Sequence, residues 1–200
     1  MKPITRVFLL LLILAAVCAF FVSELKLRGL DIGFPIDAAW IHYVFARNLA
    51  NGELFTFNRG VHVMGSTSPL WVFLLTPAFW ISPSEGFRVW WGLILGLTLH
   101  LATAVILYLK FRRYGDPFAF LVAASLLSIG RLVWASLSGM ETSLFCFLSV
   151  ASWLAAVAVK SGRAKPLWLG LMLALTIYAR PEGYLLSAVL LCWLALDTSE

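Results

Sequence analysis

The sequence predicts an all-α, polytopic transmembrane helical bundle, and two observations support this fold class. First, 62% of the 200 residues are hydrophobic and 12% are charged, whereas soluble domains carry about 25% charged residues. Second, the apolar residues form long uncharged runs, such as the one from Leu9 to Leu14, rather than the alternation of a half-buried strand. Because an open sheet in lipid would leave backbone groups without partners, helices are the expected elements.

Seven apolar runs follow one another along the chain. They cover residues 7–23, 69–81, 89–109, 117–137, 142–159, 166–179 and 183–196. The first run is longer than a typical signal core and lacks a cleavage site, so we expect a retained first span. The run 69–81 contains Pro77 and would reach about 20 Å as a helix, short of the ~30 Å hydrocarbon core. We therefore expect six spans, with 69–81 lying at the membrane face without crossing.

Basic residues predict which side of the membrane each loop occupies. Three clusters, Lys2 with Arg6, Lys110–Arg113 and Lys160–Lys165, flank the apolar runs, and short loops rich in Lys and Arg stay cytoplasmic. This pattern predicts a multi-pass membrane protein with a cytoplasmic N-terminus. Residues 24–88 then form a long extracytoplasmic loop that carries juxtamembrane amphipathic helices.

The ends of the runs also bear on partners and domain organisation. Because the formal charge of +5 lies at the ends of apolar runs rather than in a patch, nucleic acid is not an expected partner. The chain stops at Asp197–Glu200, just past a span. We expect a single membrane-embedded domain over 1–200 that forms the N-terminal part of a longer protein.

The predicted outer loop contains the most informative helix. Asp37 follows Pro35 and opens a helical pattern that ends at Asn51–Gly52, a pair suited to a helix C-cap. The plain interpretation of Asp37 is a helix N-cap, and the functional one is a general base at the membrane edge. The two are compatible, because the helix dipole keeps an N-terminal carboxylate ionised.

Further polar groups are expected on the same outer side. His62 is either an ordinary loop histidine or a group that serves the substrate as acid or base. Glu141 and Glu182 are each either helix-start residues or substrate ligands, and Arg180 is either a snorkelling anchor or an anion ligand. Carboxylates and an arginine at three separate outer junctions favour the functional interpretation.

Arg131 lies inside the apolar run 117–137. An arginine near the centre of a transmembrane helix costs about 2.5–3.5 kcal/mol on insertion scales, so it should face a cavity or a partner. One interpretation is a snorkelling side chain or an ion pair, for example with Glu141. The other is a phosphate ligand beneath an outer active site.

Several sequence blocks together carry a resemblance to a known family. They read Asp37-Ala-Ala-Trp-Ile41, Ala46-Arg-Asn-Leu-Ala50, Phe57-Asn58, Thr67-Ser-Pro-Leu-Trp71, Gly139-Met-Glu-Thr142 and Ala179-Arg-Pro-Glu-Gly183. With these blocks in this order, the chain resembles bacterial GT-C-type membrane glycosyltransferases. That family includes mycobacterial arabinofuranosyltransferases, which use a decaprenyl-phosphate sugar donor.

The resemblance implies a polytopic enzyme with its catalytic Asp37 in the first outer loop and its active site on the extracytoplasmic face. Two departures bear on activity. The family commonly has Asp-Asp-Ala where this chain has Asp37-Ala38-Ala39, so the second carboxylate is missing here. The family also commonly has an acidic residue near the position of Met64. The cofactor therefore stays open: a divalent metal is compatible with the chemistry, although the sequence has no evident metal-ligand cluster.

We expect transfer of a sugar from a polyprenyl-phosphate donor to a hydroxyl of an acceptor glycan, lipid or protein. Asp37 would take the proton from the attacking hydroxyl. Arg180, together with Arg131, would neutralise the leaving phosphate, because a planar guanidinium suits phosphate oxygens. Glu141 and Glu182 would orient the acceptor or hold the arginines. The implied partners are membrane lipid, the lipid-linked donor and the acceptor.

Two alternatives stay open at the level of the sequence. A truncated or degenerate homologue would bind a lipid-linked sugar without catalysis, and the missing second aspartate and the short length favour this alternative over a transporter. A transporter for a lipid-linked sugar would need a polar path through the spans, where only Arg131 and His100 qualify. A continuing reading frame with further spans would favour the enzyme.

Overall fold

The computed structural model describes residues 3–29, 33–58, 60–63 and 65–196. It is 78% helical, so the all-α prediction is confirmed. Within the described residues the β structure amounts to an isolated antiparallel bridge between Thr56 and His62. Lys2, Met64 and the chain end at 197–200, which the sequence analysis singled out, lie outside the described residues.

The helices follow the apolar runs in chain order. They are α1 (Pro3–Leu27), α2 (Asp37–Ala50), α3 (Pro69–Leu75), α4 (Pro77–Ile81), α5 (Glu85–Phe111), α6 (Asp116–Ser128), α7 (Gly130–Ser136), α8 (Thr142–Lys160), α9 (Pro166–Ala179) and α10 (Gly183–Leu196). A short 3-10 turn over Arg112–Tyr114 follows α5. The run 69–81 is divided between α3 and α4, because Pro77 opens a new helix.

Three helical segments in the described part of the chain are long and apolar enough to cross a membrane. They are Ile4–Glu24, Glu85–Tyr114 and Thr142–Lys160, and the bent pair α6 and α7 qualifies as a fourth. Helices α9 and α10 have 14 residues each, or about 21 Å, which is shorter than the hydrocarbon core. Length and composition therefore support three to four spans.

The predicted span 117–137 is broken rather than continuous. Helix α6 ends at Ser128, Ile129 has an extended ψ of 105°, and α7 starts at Gly130 with a bend of 62° between the two helices. Ser128 donates its hydroxyl to the carbonyl of Ala124. Serine back-bonding and a neighbouring glycine are recognised causes of helix kinks, and the apolar composition of the run concealed them.

The described chain divides into two compact units. The first comprises Met1–Ala39 and Val89–Ser143, and the second comprises Trp40–Arg88 and Leu144–Glu200. In the first unit, residues of α1, α5 and α6 share one buried apolar cluster. Its members are Leu10, Leu14, Ala104, Tyr108, Ala119, Ala123 and Leu127. The alanines let the helix backbones approach closely, as is common where helices pack in lipid.

An ionic network around Asp116 connects three helices of the first unit. Asp116 accepts hydrogen bonds from the Tyr108 hydroxyl at 2.6 Å and from Arg6 Nε at 2.9 Å. The Arg6 guanidinium also lies over the Phe120 ring, 4.7 Å from its centroid. These contacts tie α1 to α5 and α6, so Arg6 has a structural partner in addition to its predicted role in orientation.

The second unit packs α8, α9 and α10 around a small core. Ala156, Leu169, Leu173 and Leu190 form its buried apolar cluster. Beside that cluster the hydroxyls of Ser152 and Thr176 share a buried hydrogen bond of 2.9 Å. Because the Thr176 hydroxyl donates to the Met172 carbonyl at 2.7 Å, Ser152 donates the shared bond, which links α8 to α9.

Candidate active site

Asp37 is the first residue of α2, as the sequence predicted. Its side chain is exposed and has no hydrogen-bond or ion-pair partner among the residues that the structure describes. Asp37 therefore presents an accessible negative group rather than one occupied by a neighbouring cation of the described chain.

The end of α2 also agrees with the prediction. Gly52 has a positive φ of 86°, its amide donates to the Leu49 carbonyl, and the Glu53 amide donates to the Asn48 carbonyl, both at 3.0 Å. This pair of hydrogen bonds is a Schellman motif, which glycine favours because it has no Cβ. The motif directs the chain away from α2 into the loop that follows.

Asn48 holds that loop against α2, and sequence reasoning did not assign it a role. Its side chain is buried, and its Nδ2 donates to the carbonyls of Thr56 and Phe57, each at 2.9 Å. The available signal was an amide located inside an amphipathic helix rather than at its end. His42 was missed similarly: it is buried and its Nδ1 is 3.0 Å from Ser66 Oγ.

His62 has a structural partner in the loop. It is exposed, and its Nδ1 donates to the Leu54 carbonyl at 2.9 Å, while the Val63 amide donates to the Phe55 carbonyl at 2.8 Å. These bonds close a short hairpin. The neutral tautomer that donates from Nδ1 leaves Nε2 as the acceptor. The plain interpretation of His62, a hydrogen-bonded loop residue, is the one that these contacts favour.

The turn that contains Glu141 packs against the segment that leads to Asp37. Gly139 has a positive φ of 76°, and a Cβ at this position would overlap the ring of Phe34. Phe34 is buried and lies three residues before Asp37. Glu141 is 1% exposed and immediately precedes α8. Two of the predicted site segments therefore meet in the first unit.

Arg180 and Glu182 form a bidentate ion pair in the turn between α9 and α10. Arg180 Nη2 donates to Glu182 Oε1 at 2.8 Å, and its Nε donates to Oε2 at 3.2 Å. The hydrogen bond from Arg180 holds the pKa of Glu182 below its usual range, and the backbone amide of Glu182 adds to the effect. This pair fixes the guanidinium plane in a junction where a Cβ on Gly183 would lie 2.6 Å from the Thr176 carbonyl oxygen.

Within the described residues Arg131 has no partner of the kind that the sequence suggested as one of two possibilities, the other being a cavity. It is the second residue of α7, its side chain is exposed, and it forms no ion pair or hydrogen bond with any residue in the described ranges. The ion pair with Glu141 that the sequence suggested is therefore not formed. Its position just after the bend at Ile129 is a feature that the sequence did not indicate.

The predicted site residues fall into the two units. Asp37, Arg131 and Glu141 belong to the first, and His62, Arg180 and Glu182 belong to the second. The described residues contain no group of three or more His, Cys, Asp or Glu side chains that could hold a metal ion. The local geometry thus offers an exposed carboxylate in one unit and an oriented guanidinium in the other.

Comparison with known proteins identifies no relative of this chain. No protein-family model matches it, and no curated protein or solved structure is similar enough to count as a match.

Proposed function

We propose that this protein is a membrane glycosyltransferase, which moves a sugar from a polyprenyl-phosphate donor to an acceptor hydroxyl on the extracytoplasmic face of the inner membrane. In this proposal the chain crosses the membrane six times, its N-terminus is cytoplasmic, and the loop 24–88 is extracytoplasmic. The apolar helices are consistent with a membrane location. The sequence resemblance supports the donor class.

The observation that carries the proposal is the position and exposure of Asp37. It is exposed in the first turn of α2, and the segment just before it is anchored by the contact between Phe34 and Gly139. A general base must be ionised and able to reach the hydroxyl proton that it abstracts. The exposure of Asp37 in the first turn of α2 leaves it able to reach a substrate hydroxyl, so Asp37 is assigned as the base.

Arg180 is assigned to the leaving phosphate. A planar guanidinium binds two phosphate oxygens at once, which stabilises the charge that develops as the sugar departs. Glu182 holds the guanidinium in one orientation through its two hydrogen bonds. Glu141 is buried. We therefore propose that it holds the turn before α8 in place and does not contact the acceptor.

The test is a transfer assay in membranes that contain the full chain. Radiolabelled decaprenyl-phosphoryl arabinose serves as the first donor probe, and label in an acceptor fraction is measured for the wild type and for Asp37→Asn. Loss of a general base lowers the rate by about 10²–10⁴-fold. Equal transfer by both proteins would exclude Asp37 as the base.

A matched control separates the base from a general effect of lost charge. Glu85 is also an exposed acid in the first turn of a helix, α5, and it has no role in the proposed reaction. Glu85→Gln should therefore transfer sugar at the wild-type rate. A wild type that transfers no sugar from any decaprenyl-phosphate donor, in membranes where the chain is present, would contradict the enzyme itself.

A further inference from the structure

Just after the bend between α6 and α7, Arg131 is exposed as the second residue of α7. Suppose that α6 starts at one boundary of the hydrocarbon core and runs along the membrane normal. Its 13 residues then rise about 20 Å, and the inclined α7 adds about 0.7 Å per residue. Arg131 then lies about 9 Å short of the far boundary of a ~30 Å core. From such a depth, an arginine side chain can snorkel to the headgroups.

The guanidinium of Arg131 has no counter-charge within the described residues. A cation in the hydrocarbon region is costly, so it is normally matched by a counter-charge or by water. Among the described residues none forms an ion pair or hydrogen bond with this guanidinium. The other basic residues near α6 differ in this respect, since Arg6 is bound to Asp116 and Arg112 lies 4.0 Å from it.

An apolar groove opens beside the bend, within the first unit. Its volume is about 510 Å³, and it is lined by residues of α1 and of the bend, including Val17, Phe20, Phe21, Ser128 and Val133. Gly130, which precedes Arg131, also lines it. The volume lies in the range of sites that hold small ligands. Phe20 is 67% exposed, so the groove is accessible from the side on which lipid would surround α1.

We propose that this groove binds one anionic phospholipid of the bilayer, with its phosphate on Arg131 and an acyl chain between α1 and the bend. Charge complementarity selects the headgroup, because a single unmatched guanidinium is neutralised by a lipid with one net negative charge. The bidentate geometry of arginine suits a phosphate diester. The apolar side chains that line the groove favour an acyl chain. This lipid site uses neither Asp37 nor Arg180, the two residues to which the proposed transferase reaction is assigned, and it gives Arg131 a bilayer lipid instead of the donor phosphate.

The lipid site is tested by native mass spectrometry of the purified full chain with phosphatidylglycerol or phosphatidylcholine added. The wild type should retain one phosphatidylglycerol in preference to phosphatidylcholine. Arg131→Gln removes charge-assisted hydrogen bonds, so its apparent affinity should fall about tenfold or more. Arg131→Lys keeps the charge but loses the planar fork, and it should bind with intermediate affinity.

Two further variants distinguish specific lipid binding in the groove from non-specific attraction of the lipid by surface charge. Ala16 lines the groove and is exposed, so Ala16→Trp should fill the groove and displace the lipid while Arg131 stays intact. Arg163 is an exposed arginine of the second unit, in the turn after α8, and Arg163→Gln should bind like the wild type. The same elution volume in size-exclusion chromatography shows that each variant is folded.

Three results would overturn the lipid site. Equal losses of affinity for phosphatidylglycerol in Arg131→Gln and Arg163→Gln would mean that charge alone attracts the lipid. Full binding by Ala16→Trp would mean that the groove holds no acyl chain. Displacement of phosphatidylglycerol by stoichiometric decaprenyl phosphate would assign the groove to the polyprenyl donor instead of to a bilayer lipid.

Discussion

The Glu182 carboxylate illustrates how two neighbouring side chains set the charge of the turn between α9 and α10. Its pKa is held below the usual range of a glutamate, first by the hydrogen bond from Arg180 and then by its own backbone amide. A lowered pKa means that the pair is fully formed above the ordinary glutamate range and is lost only as the pH falls through the lowered value. Because Glu182 is half exposed, salt also weakens the pair.

We predict that Arg180→Gln returns the pKa of Glu182 towards its ordinary value. The reason is that the variant removes the main hydrogen bond to the carboxylate. A pH titration of the carboxyl carbon by NMR, with isotopically labelled glutamate, measures the shift. Arg163→Gln is the control, since Arg163 contacts Ser161 instead. An unchanged Glu182 titration in Arg180→Gln would contradict the assigned cause.

A second residue-scale prediction concerns the amide of Asn48. Asn48→Ala leaves the carbonyls of Thr56 and Phe57 without their donor. We expect a cost of about 1–3 kcal/mol in the stability of the loop, because buried groups lose hydrogen bonds. Limited proteolysis should cleave residues 53–63 faster in this variant. Asn51→Ala, at the exposed end of α2, should be cleaved at the wild-type rate. Equal cleavage rates for Asn48→Ala and Asn51→Ala would contradict the role of Asn48.

At the residue scale, local rules explain what the sequence predicted correctly. Asp37 at the start of α2 and Gly52 at its end follow from helix-end chemistry within a few residues of chain. The contact between Phe34 and Gly139 spans about a hundred residues, so no local pattern contains it. The same limit concealed Asn48, because its two acceptors are backbone carbonyls with no sequence signature.

At the element scale, helices α5 and α7 meet at a glycine. A Cβ on Gly96 would overlap the backbone carbonyl of Ser136, and a backbone group cannot rotate away as a flexible side chain can. The absence of a side chain at Gly96 thus sets how closely these two helices pack in the first unit. The hydrophobic runs predict the helices but not this close approach, since glycine also occurs in open positions such as Gly170.

We predict that Gly96→Ala destabilises the protein by about 1–3 kcal/mol, the usual cost of forcing extra volume into a packed region. The midpoint of thermal aggregation in detergent should fall. Gly170→Ala is the matched control, because a Cβ there meets nothing within 4 Å. That control should be neutral or slightly stabilising, since alanine favours helix. Equal midpoints for Gly96→Ala and the wild type would show that α5 and α7 pack less closely than described.

The bend at Ile129 marks the other limit of prediction at this scale. Hydropathy reports that residues 117–137 are apolar, and a continuous helix is the simplest element of that composition. The order Ser128-Ile129-Gly130 contains the reasons for a break, but serine and glycine are also common inside unbroken transmembrane helices. A hydropathy profile therefore predicts that this span exists and omits its geometry.

At the scale of the whole molecule, the number of crossings depends on α9 and α10. Each has 14 residues and reaches about 21 Å, short of a ~30 Å core. Two arrangements fit this length. In one, both helices cross and the turn at Arg180–Gly183 lies in a polar hollow below the outer surface. In the other, they form a hairpin that enters from the cytoplasmic side and returns to it.

We predict the crossing arrangement, because a hairpin would leave the charged pair of Arg180 and Glu182 within the hydrocarbon core, which is costly. In a variant whose three native cysteines are replaced, Pro181→Cys should react with a membrane-impermeant maleimide added to intact cells, and so should Asn58→Cys. Arg113→Cys should react only after permeabilisation. A Pro181→Cys that stays unlabelled in intact cells, while Asn58→Cys is labelled, would mean that α9 and α10 do not cross. Arg180 would then lie away from the face on which Asp37 is proposed to act, and the assignment of Arg180 to the leaving phosphate would fail even if Asp37 kept its role.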